Sequence, residues 1–353
     1  MDHLTFGRRC GLRVSAYALG TVNFGTRWGG GADREEARAV LDRFAEAGGT
    51  FLDTADCYHD GEAEALIGGF LQGRRDRFTL ATKYAYGAGT ADRNVLTTGN
   101  SRRTMVRALE ASLRRLQTDH VDLYWVHFPD TLTPVDEVVA ALDDLVRAGK
   151  IRYGGLSNFP AGRVARAVTL GELSARTPVV GVQTEYSLID RTAEREVLPM
   201  AEAMGIGAAL WGPLGGGLLT GKYRQGAEGR LTAWQGRMMR TESDGHRSAV
   251  LDELLAVAKE AGEPPARVAI AWLNIRARHA ATAHVPVIGP RTVAQLDDYL
   301  GALGLELDED HMRRLDTVSA VTLGSPHDVA NSARAVLLGG DATLFRPPTP
   351  SVP

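Results

Sequence analysis

Three short apolar runs in this 353-residue sequence end on groups that can move protons. Asp53 closes TFLD, Lys83 closes FTLATK and His127 closes VDLYWVH, while Tyr58 stands just beyond Asp53 in FLDTADCY. A hydrophobic strand gains nothing by ending in Asp, Lys or His. Three such ends facing one opening would bring carboxylate, ammonium, imidazole and phenol within reach of a single ligand. A free phenol, with a pKa near 10, is a poor acid or base at neutral pH. A nearby ammonium favours phenolate and lowers that pKa, and a carboxylate keeps the ammonium charged and oriented. The imidazole can hydrogen-bond the same ligand oxygen, orienting it or relaying a proton. Taken alone, the same residues also describe a structural ion pair beside an exposed tyrosine. Lys83 by itself would allow a Schiff base, the chemistry of a lyase or isomerase.

The elements that must position these groups alternate between short β-rich runs and amphipathic helical stretches, the pattern of βα units on a parallel sheet. Strands are expected to end near Gly20, Asp53, Lys83, His127, Ser157, Gln183, Trp211 and Gly289, so eight emerge by counting. Leu4–Val14 forms a hairpin ahead of them. Asp33, three before Glu36, opens a helix to about Ala47. Ser101 opens another, with Met105, Leu109, Leu113 and Leu116 on one face. Pro134 and Pro160 suit first helical turns. Before the last strand lies a polar, Gly-rich loop at 223–247, read as a lid or substrate-shaping insertion, followed by helices at Ala249–Ala261 and Pro265–Ala277. Helices at Thr292–Leu303 and Asp308–Val318 complete the pattern. No G-x-G-x-x-G follows the first strand, which argues against a doubly wound sheet. The expected fold is a single (β/α)8 TIM barrel over residues 1–320, with a partly disordered tail over 321–353 that ends in RPPTPSVP.

Composition excludes several classes. Hydrophobic residues at 44% and charged residues at 24% suit a globular chain with a large core. A formal net charge of −3, with no Lys/Arg run, gives no reason to expect nucleic acid or an anionic membrane as partner. Ala208–Gly221 is too short and too rich in Gly and Pro to span a bilayer, and the N-terminus lacks a signal-peptide core. Two cysteines, Cys10 and Cys57, fit a reducing cytoplasm.

FLDTADCY resembles the aldo-keto reductase signature around a catalytic Asp and Tyr, ATKY its lysine strand and DLYWVHFPD its histidine segment. YGGLSNF, VQTEYSLIDR, WGPLGGGLLTGKY and PVIGPRTVAQL match later family segments in order, from about Leu4 to Leu315. The similarity is greatest to the bacterial branch that also resembles potassium-channel β subunits. The resemblance implies a catalytic tetrad of Asp53, Tyr58, Lys83 and His127, with hydride passing from nicotinamide C4 to a carbonyl carbon while Tyr58 delivers the proton. It implies cofactor contacts from Gly20, Thr21 and Asp53. Ser157, Asn158 and Gln183 would hold the carboxamide, and Trp211 would stack on the nicotinamide. Gly212, Pro213, Leu214, Gly216 and Lys222 would cradle the pyrophosphate. The stretch Gly216–Lys222 also has Walker A spacing, but Tyr223 stands where Ser or Thr should bind Mg²⁺, so an NTPase reading is rejected. Gly289, Arg291 and Gln295 would surround the 2′-phosphate, with Asp298 at the adenine, and the Arg favours NADPH over NADH. Three departures stand out: Gly212 for the usual Ser, Asp298 for Glu and Tyr299 for Asn.

Asn23, Trp28, Tyr84, Trp125 and Phe128 are expected to wall the substrate site, with Phe24, Tyr86 and Trp234 beside them. Loop arginines Arg27, Arg93, Arg230 and Arg237 can meet a diphosphate. The pattern also resembles actinobacterial reductases of keto-deoxysugar nucleotides, which gives a second substrate expectation beside simple small-molecule carbonyls. The rival function is a regulatory subunit that binds cofactor, as channel β subunits do. A homo-oligomer is allowed, and no metal is expected.

Overall fold

The computed structural model describes residues 1–89, 94–176, 179–226, 241–242, 245–341 and 343. The chain opens with an antiparallel hairpin, β1 (His3–Thr5) and β2 (Arg13–Ser15), in register at Leu4 and Val14. Eight strands follow: β3 (Ala18–Gly20), β4 (Phe51–Asp53), β5 (Thr79–Tyr84), β6 (Val121–Val126), β7 (Ile151–Ser157), β8 (Val179–Glu185), β9 (Gly207–Trp211) and β10 (His284–Ile288). They close into a parallel barrel in the order β10-β3-β4-β5-β6-β7-β8-β9. The expected (β/α)8 barrel and hairpin are both present.

Each crossover carries a helix. The first six are α1 (Arg34–Glu46), α2 (Glu62–Phe70), α3 (Arg102–Leu116), α4 (Val135–Arg147), α5 (Ala161–Leu173) and α6 (Val197–Met204). Beyond β9 come α7 (Gly245–Ala261) and α8 (Pro265–His279), and beyond β10 come α9 (Val293–Gly301) and α10 (Glu309–Val318). Local chemistry sets their starts. Asp33 accepts from the amides of Glu35 and Glu36, and Ser101 from that of Thr104, satisfying donors a helix cannot bond internally. Met105, Leu109, Leu113 and Leu116 are all buried, as their spacing predicts. Pro134 and Pro160 stand one residue ahead of their helices, in extended backbone.

Two apolar regions result. One fills the shell between strands and helices; the other fills the barrel, with Phe51, Leu123, Trp125, Val180 and Val285 from the strands. The hairpin closes the barrel floor, where fully buried Phe6 meets Phe51 and Trp125 edge-on at 5.9 and 6.2 Å. Glycines make that space. A Cβ at Gly155 would lie 2.3 Å from the Trp125 ring, and one at Gly181 would lie 2.3 Å from Phe6.

The tail departs from expectation at one place: His327–Leu337 forms a helix, α11, tethered by Arg195 donating to the Ser325 carbonyl at 2.9 Å. The RPPTPSVP end, most of the 223–247 loop, Trp234, Arg93, Arg230 and Arg237 lie outside the described residues. No helix among the described residues is long and apolar enough to cross a membrane.

Candidate active site

At the C-terminal ends of β4 and β5, Lys83 is a fully enclosed charge. Its ammonium donates to Asp53 Oδ2 at 2.5 Å, to the Thr54 carbonyl at 2.8 Å and to Tyr58 Oη at 3.3 Å, using all three protons. Side-chain exposures of 0% for Lys83 and 3% for Asp53 leave no solvent to share the charge. The second Asp53 oxygen accepts from Gln183 Nε2 at 3.1 Å, across the barrel mouth. Burial opposes the charged lysine, but Asp53 and Tyr58 outweigh it and hold its pKa above the ordinary value.

Tyr58 sits half-buried at the rim. The sequence predicts a phenol pKa lowered by the nearby cation. In the structure burial is the larger effect, with Asp53 acting in the same sense, and the pKa is pushed up to about 12 despite Lys83. The group at the mouth is a phenol that keeps its proton. His127, 8% exposed, is driven well below the usual imidazole pKa by burial and by Lys83. Its ring lies edge-on to Tyr58 at 6.0 Å and to Tyr86 at 5.6 Å, and stacks on Phe128 at 4.7 Å. The four groups thus gather as the strand ends predicted: a neutral phenol and a neutral imidazole above a buried ion pair.

The next strand ends bring an amide-rich edge. Asn158 donates to Ser157 Oγ and to the His127 carbonyl, both at 3.0 Å, and accepts from the Trp211 indole N–H at 3.1 Å. Its backbone is left-handed, φ +60°, a conformation asparagine tolerates. With Gln183 these residues place hydroxyl and amide groups beside an indole, groups that could hold a flat carboxamide-bearing ring. Gly212, Gly215, Gly216 and Gly217 all have positive φ, so the segment after β9 turns tightly, with Pro213 and Leu214 buried inside it. The Lys222 ammonium lies 5.1 Å from the Tyr223 ring centre. Thr21 donates its amide to the Asp53 carbonyl at 3.0 Å, beside buried Gly20. Past β10, Asn23 Nδ2 donates to the Gly289 carbonyl at 2.7 Å, and the exposed Gln295 accepts from the Arg291 amide at 2.8 Å. Asp298 is 3.5 Å from Arg267, so its carboxylate already has a cation beside it. Among the described residues no group of His, Cys, Asp and Glu is suited to hold a metal.

Two expected substrate residues are corrected. Tyr84 is fully buried, stacks on Tyr124 at 5.2 Å and donates to the Asn100 carbonyl, in the shell outside the barrel. Trp125 is fully buried inside the barrel against Phe6, below His127. Strand alternation explains both: Lys83 points inward, so Tyr84 points outward, and Trp125 lies one inward step beneath His127. Trp28, Phe128 and Tyr86 remain around the mouth, the first at 36% exposure, with Asn23 buried beside them; Phe24, expected there too, is fully buried in the shell core.

Sequence reasoning missed three groups. Asp56 is 1% exposed, one of its oxygens lacks a partner, and burial and Glu64 push its pKa up to about 8. Glu64 is fully buried, accepting from Thr82 Oγ1 at 2.5 Å and Arg115 Nε at 2.7 Å. His59 is fully buried directly beyond Tyr58. Their only signal was the density of acids and turn residues in DTADCYHDGEAE.

Comparison with known proteins finds relatives over most of the chain. An uncharacterized oxidoreductase of Bacillus subtilis (strain 168) is 40% identical over 322 residues, 89% of this chain and 95% of the relative. A norsolorinic acid reductase of Aspergillus flavus is 33% identical over 332 residues, covering 92% and 82%. An NADP(+) aryl-alcohol dehydrogenase of Phanerodontia chrysosporium is 32% identical over 345 residues, covering 92% and 88%. Residues 17–320 match the aldo/keto reductase family model, and the chain belongs to that family, as an oxidoreductase acting on carbonyl groups.

Proposed function

We propose that this protein reduces aromatic aldehydes or ketones with NADPH, with Tyr58 as the proton donor. The observation that carries the reading is the continuous chain Tyr58–Lys83–Asp53, closed by Gln183, at the mouth of the barrel. When bound, the nicotinamide supplies the hydride to the carbonyl carbon. The protein's own residues supply the rest. A phenol whose pKa is about 12 is protonated at every physiological pH and so has a proton to give as an acid. Proton transfer leaves phenolate character next to the Lys83 ammonium, which stabilises it as it forms. Neutral His127 offers a second polar contact to the same oxygen. Ser157, Asn158 and Gln183 fit a carboxamide and Trp211 a ring face. Arg291, exposed at the start of α9, supports NADPH over NADH.

Aromatic substrates are favoured over nucleotide-linked keto-sugars on two grounds. The rim carries Trp28, Tyr86 and Phe128, and two of the named relatives are an aryl-alcohol dehydrogenase and a norsolorinic acid reductase. A carbonyl panel with NADPH and NADH, run beside Tyr58→Phe, tests the reading. Turnover is expected to fall by about 10²–10⁴-fold in the variant while NADPH still binds. Unchanged turnover in the variant refutes Tyr58 as donor. Faster reduction of a nucleotide-linked keto-sugar than of aryl aldehydes overturns the substrate class. Cofactor binding without turnover of any carbonyl would favour the regulatory reading.

A further inference from the structure

The backbone beyond Tyr58 takes three successive left-handed residues: His59 (φ +48°), Asp60 (φ +55°) and Gly61 (φ +87°). Such conformations suit glycine, and a bulky residue there is held only by surroundings that over-determine it. The surroundings are the segment 22–32, which follows β3 and packs on the loop beyond Tyr58. His59 Nδ1 accepts from the Trp28 amide at 3.2 Å, and Nε2 lies 3.2 Å from the Val22 carbonyl. The Trp28 ring stacks on the imidazole at 4.8 Å, 21° from parallel. From the next turn, Glu62 Oε2 accepts from the amides of Thr26 and Arg27 at 3.0 and 3.3 Å. The fit leaves no slack. A Cβ on Gly25 would lie 2.9 Å from His59, and one on Gly31 would lie 3.0 Å from His59 and 2.0 Å from the Gly25 carbonyl.

We propose that His59 is a positioning residue: as a neutral imidazole with its proton on Nε2, it clasps segment 22–32 to the Tyr58 loop and fixes Trp28 as a wall of the substrate site. The two contacts determine the tautomer, because one nitrogen must accept from an amide and the other must donate to a carbonyl. An imidazolium would set an N–H against the Trp28 N–H and open the clasp. Burial holds the imidazole below its ordinary pKa, against the Glu62 and Asp60 carboxylates and the Val22 carbonyl that pull it up; Arg27 is the cation on the facing segment, 4.0 Å from Glu62. The inference rests on the proposed carbonyl reduction for its kinetic arm only.

The test compares wild type with His59→Gly, which frees the backbone but deletes the clasp, and with His59→Asn. Asparagine tolerates a left-handed backbone and keeps an acceptor near the Nδ1 position. Hydrogen exchange over residues 22–32 reads the clasp without reference to activity. Trp28 amide exchange is expected to rise about tenfold or more in His59→Gly and to return toward wild type in His59→Asn. With NADPH and 2-naphthaldehyde, KM is expected to rise about tenfold in His59→Gly, with kcat changing less than about threefold. Trp28→Ala should give the same KM rise, and the double variant no further one. Unchanged exchange in His59→Gly overturns the clasp. Faster exchange with unchanged KM, or additive KM effects, overturns the role of Trp28. If wild type reduces no carbonyl, the catalytic reading has failed, and the exchange arm still decides the clasp.

Discussion

Removing either member of the Asp53–Lys83 pair should destabilise the fold by an amount with a calculable ceiling and an opposite pH dependence. Asp53→Asn leaves a fully buried ammonium with no counter-charge, only neutral oxygens as partners, among them the Thr54 carbonyl and Tyr58. Breaking a buried pair this way typically costs about 3–5 kcal/mol. The ceiling is the work of neutralising the stranded charge: for a lysine of ordinary pKa about 10.4, losing its proton at pH 7 costs about 4.6 kcal/mol. Lys83→Met strands a carboxylate instead, and protonating an ordinary carboxyl of pKa about 3.9 at pH 7 costs about 4.2 kcal/mol. At about 2.1 cal/mol/K per residue of unfolding entropy, either single variant should melt about 4–6 °C lower at pH 7. The signs then diverge. A stranded lysine has a depressed folded pKa, so its penalty shrinks as pH rises toward the ordinary lysine value. A stranded carboxyl has a raised folded pKa, so its penalty shrinks as pH falls toward the ordinary carboxyl value. Asp53→Asn should recover between pH 7 and about 9.5, Lys83→Met between pH 7 and about 5, and the double variant should lie above the worse single throughout. Denaturant titrations of the four proteins at three pH values measure this. Parallel shifts of the two singles across pH, or shifts below about 0.5 kcal/mol, would refute the claim that this pair is desolvated.

Asp56 provides a second stability signature. Its folded pKa of about 8 lies above the unfolded value of 3.8, so its contribution is intact at low pH and is lost as pH rises through that window. Asp56→Asn should flatten this slope and gain stability over wild type as pH rises toward 8, read by urea unfolding. Because Tyr58 titrates near 12, kcat for carbonyl reduction should show no tyrosine inflection below pH 10, with loss only above it. Gly181→Ala places a methyl 2.3 Å from Phe6 and should cost about 1–3 kcal/mol, read as a lowered midpoint without a change in slope.

The barrel was legible because each strand is short, apolar and bounded by turn residues, and because polar residues interrupt that pattern at the mouth. Asp53, Lys83 and His127 announced themselves as misfits on hydrophobic strands. Side-chain direction was less legible: Tyr84 and Trp125 looked like wall residues by proximity, although the period of two already assigned Tyr84 to the outer shell. The Tyr58 phenol shows a different limit. Sequence names its charged neighbour but not the depth of burial, and here burial wins. His59 was unreadable in principle, since its role depends on three successive positive φ values and on a facing segment thirty residues away. The α11 helix was missed because the tail was read from its Pro-rich RPPTPSVP end.

The hairpin and Phe6 make the barrel a vessel with a stopper. Phe6 and Val14 are fully buried and Leu12 is 8% exposed, and all three precede the stretch that matches the family model. Removing the stopper would open a route for water from beneath, past Trp125, toward the Lys83 ammonium. A higher dielectric there would weaken the Asp53–Lys83 attraction and ease the burial that keeps Tyr58 protonated. The dry surroundings of the Asp53–Lys83 pair would thus depend in part on the opposite end of the barrel, where Phe6 packs beneath Trp125.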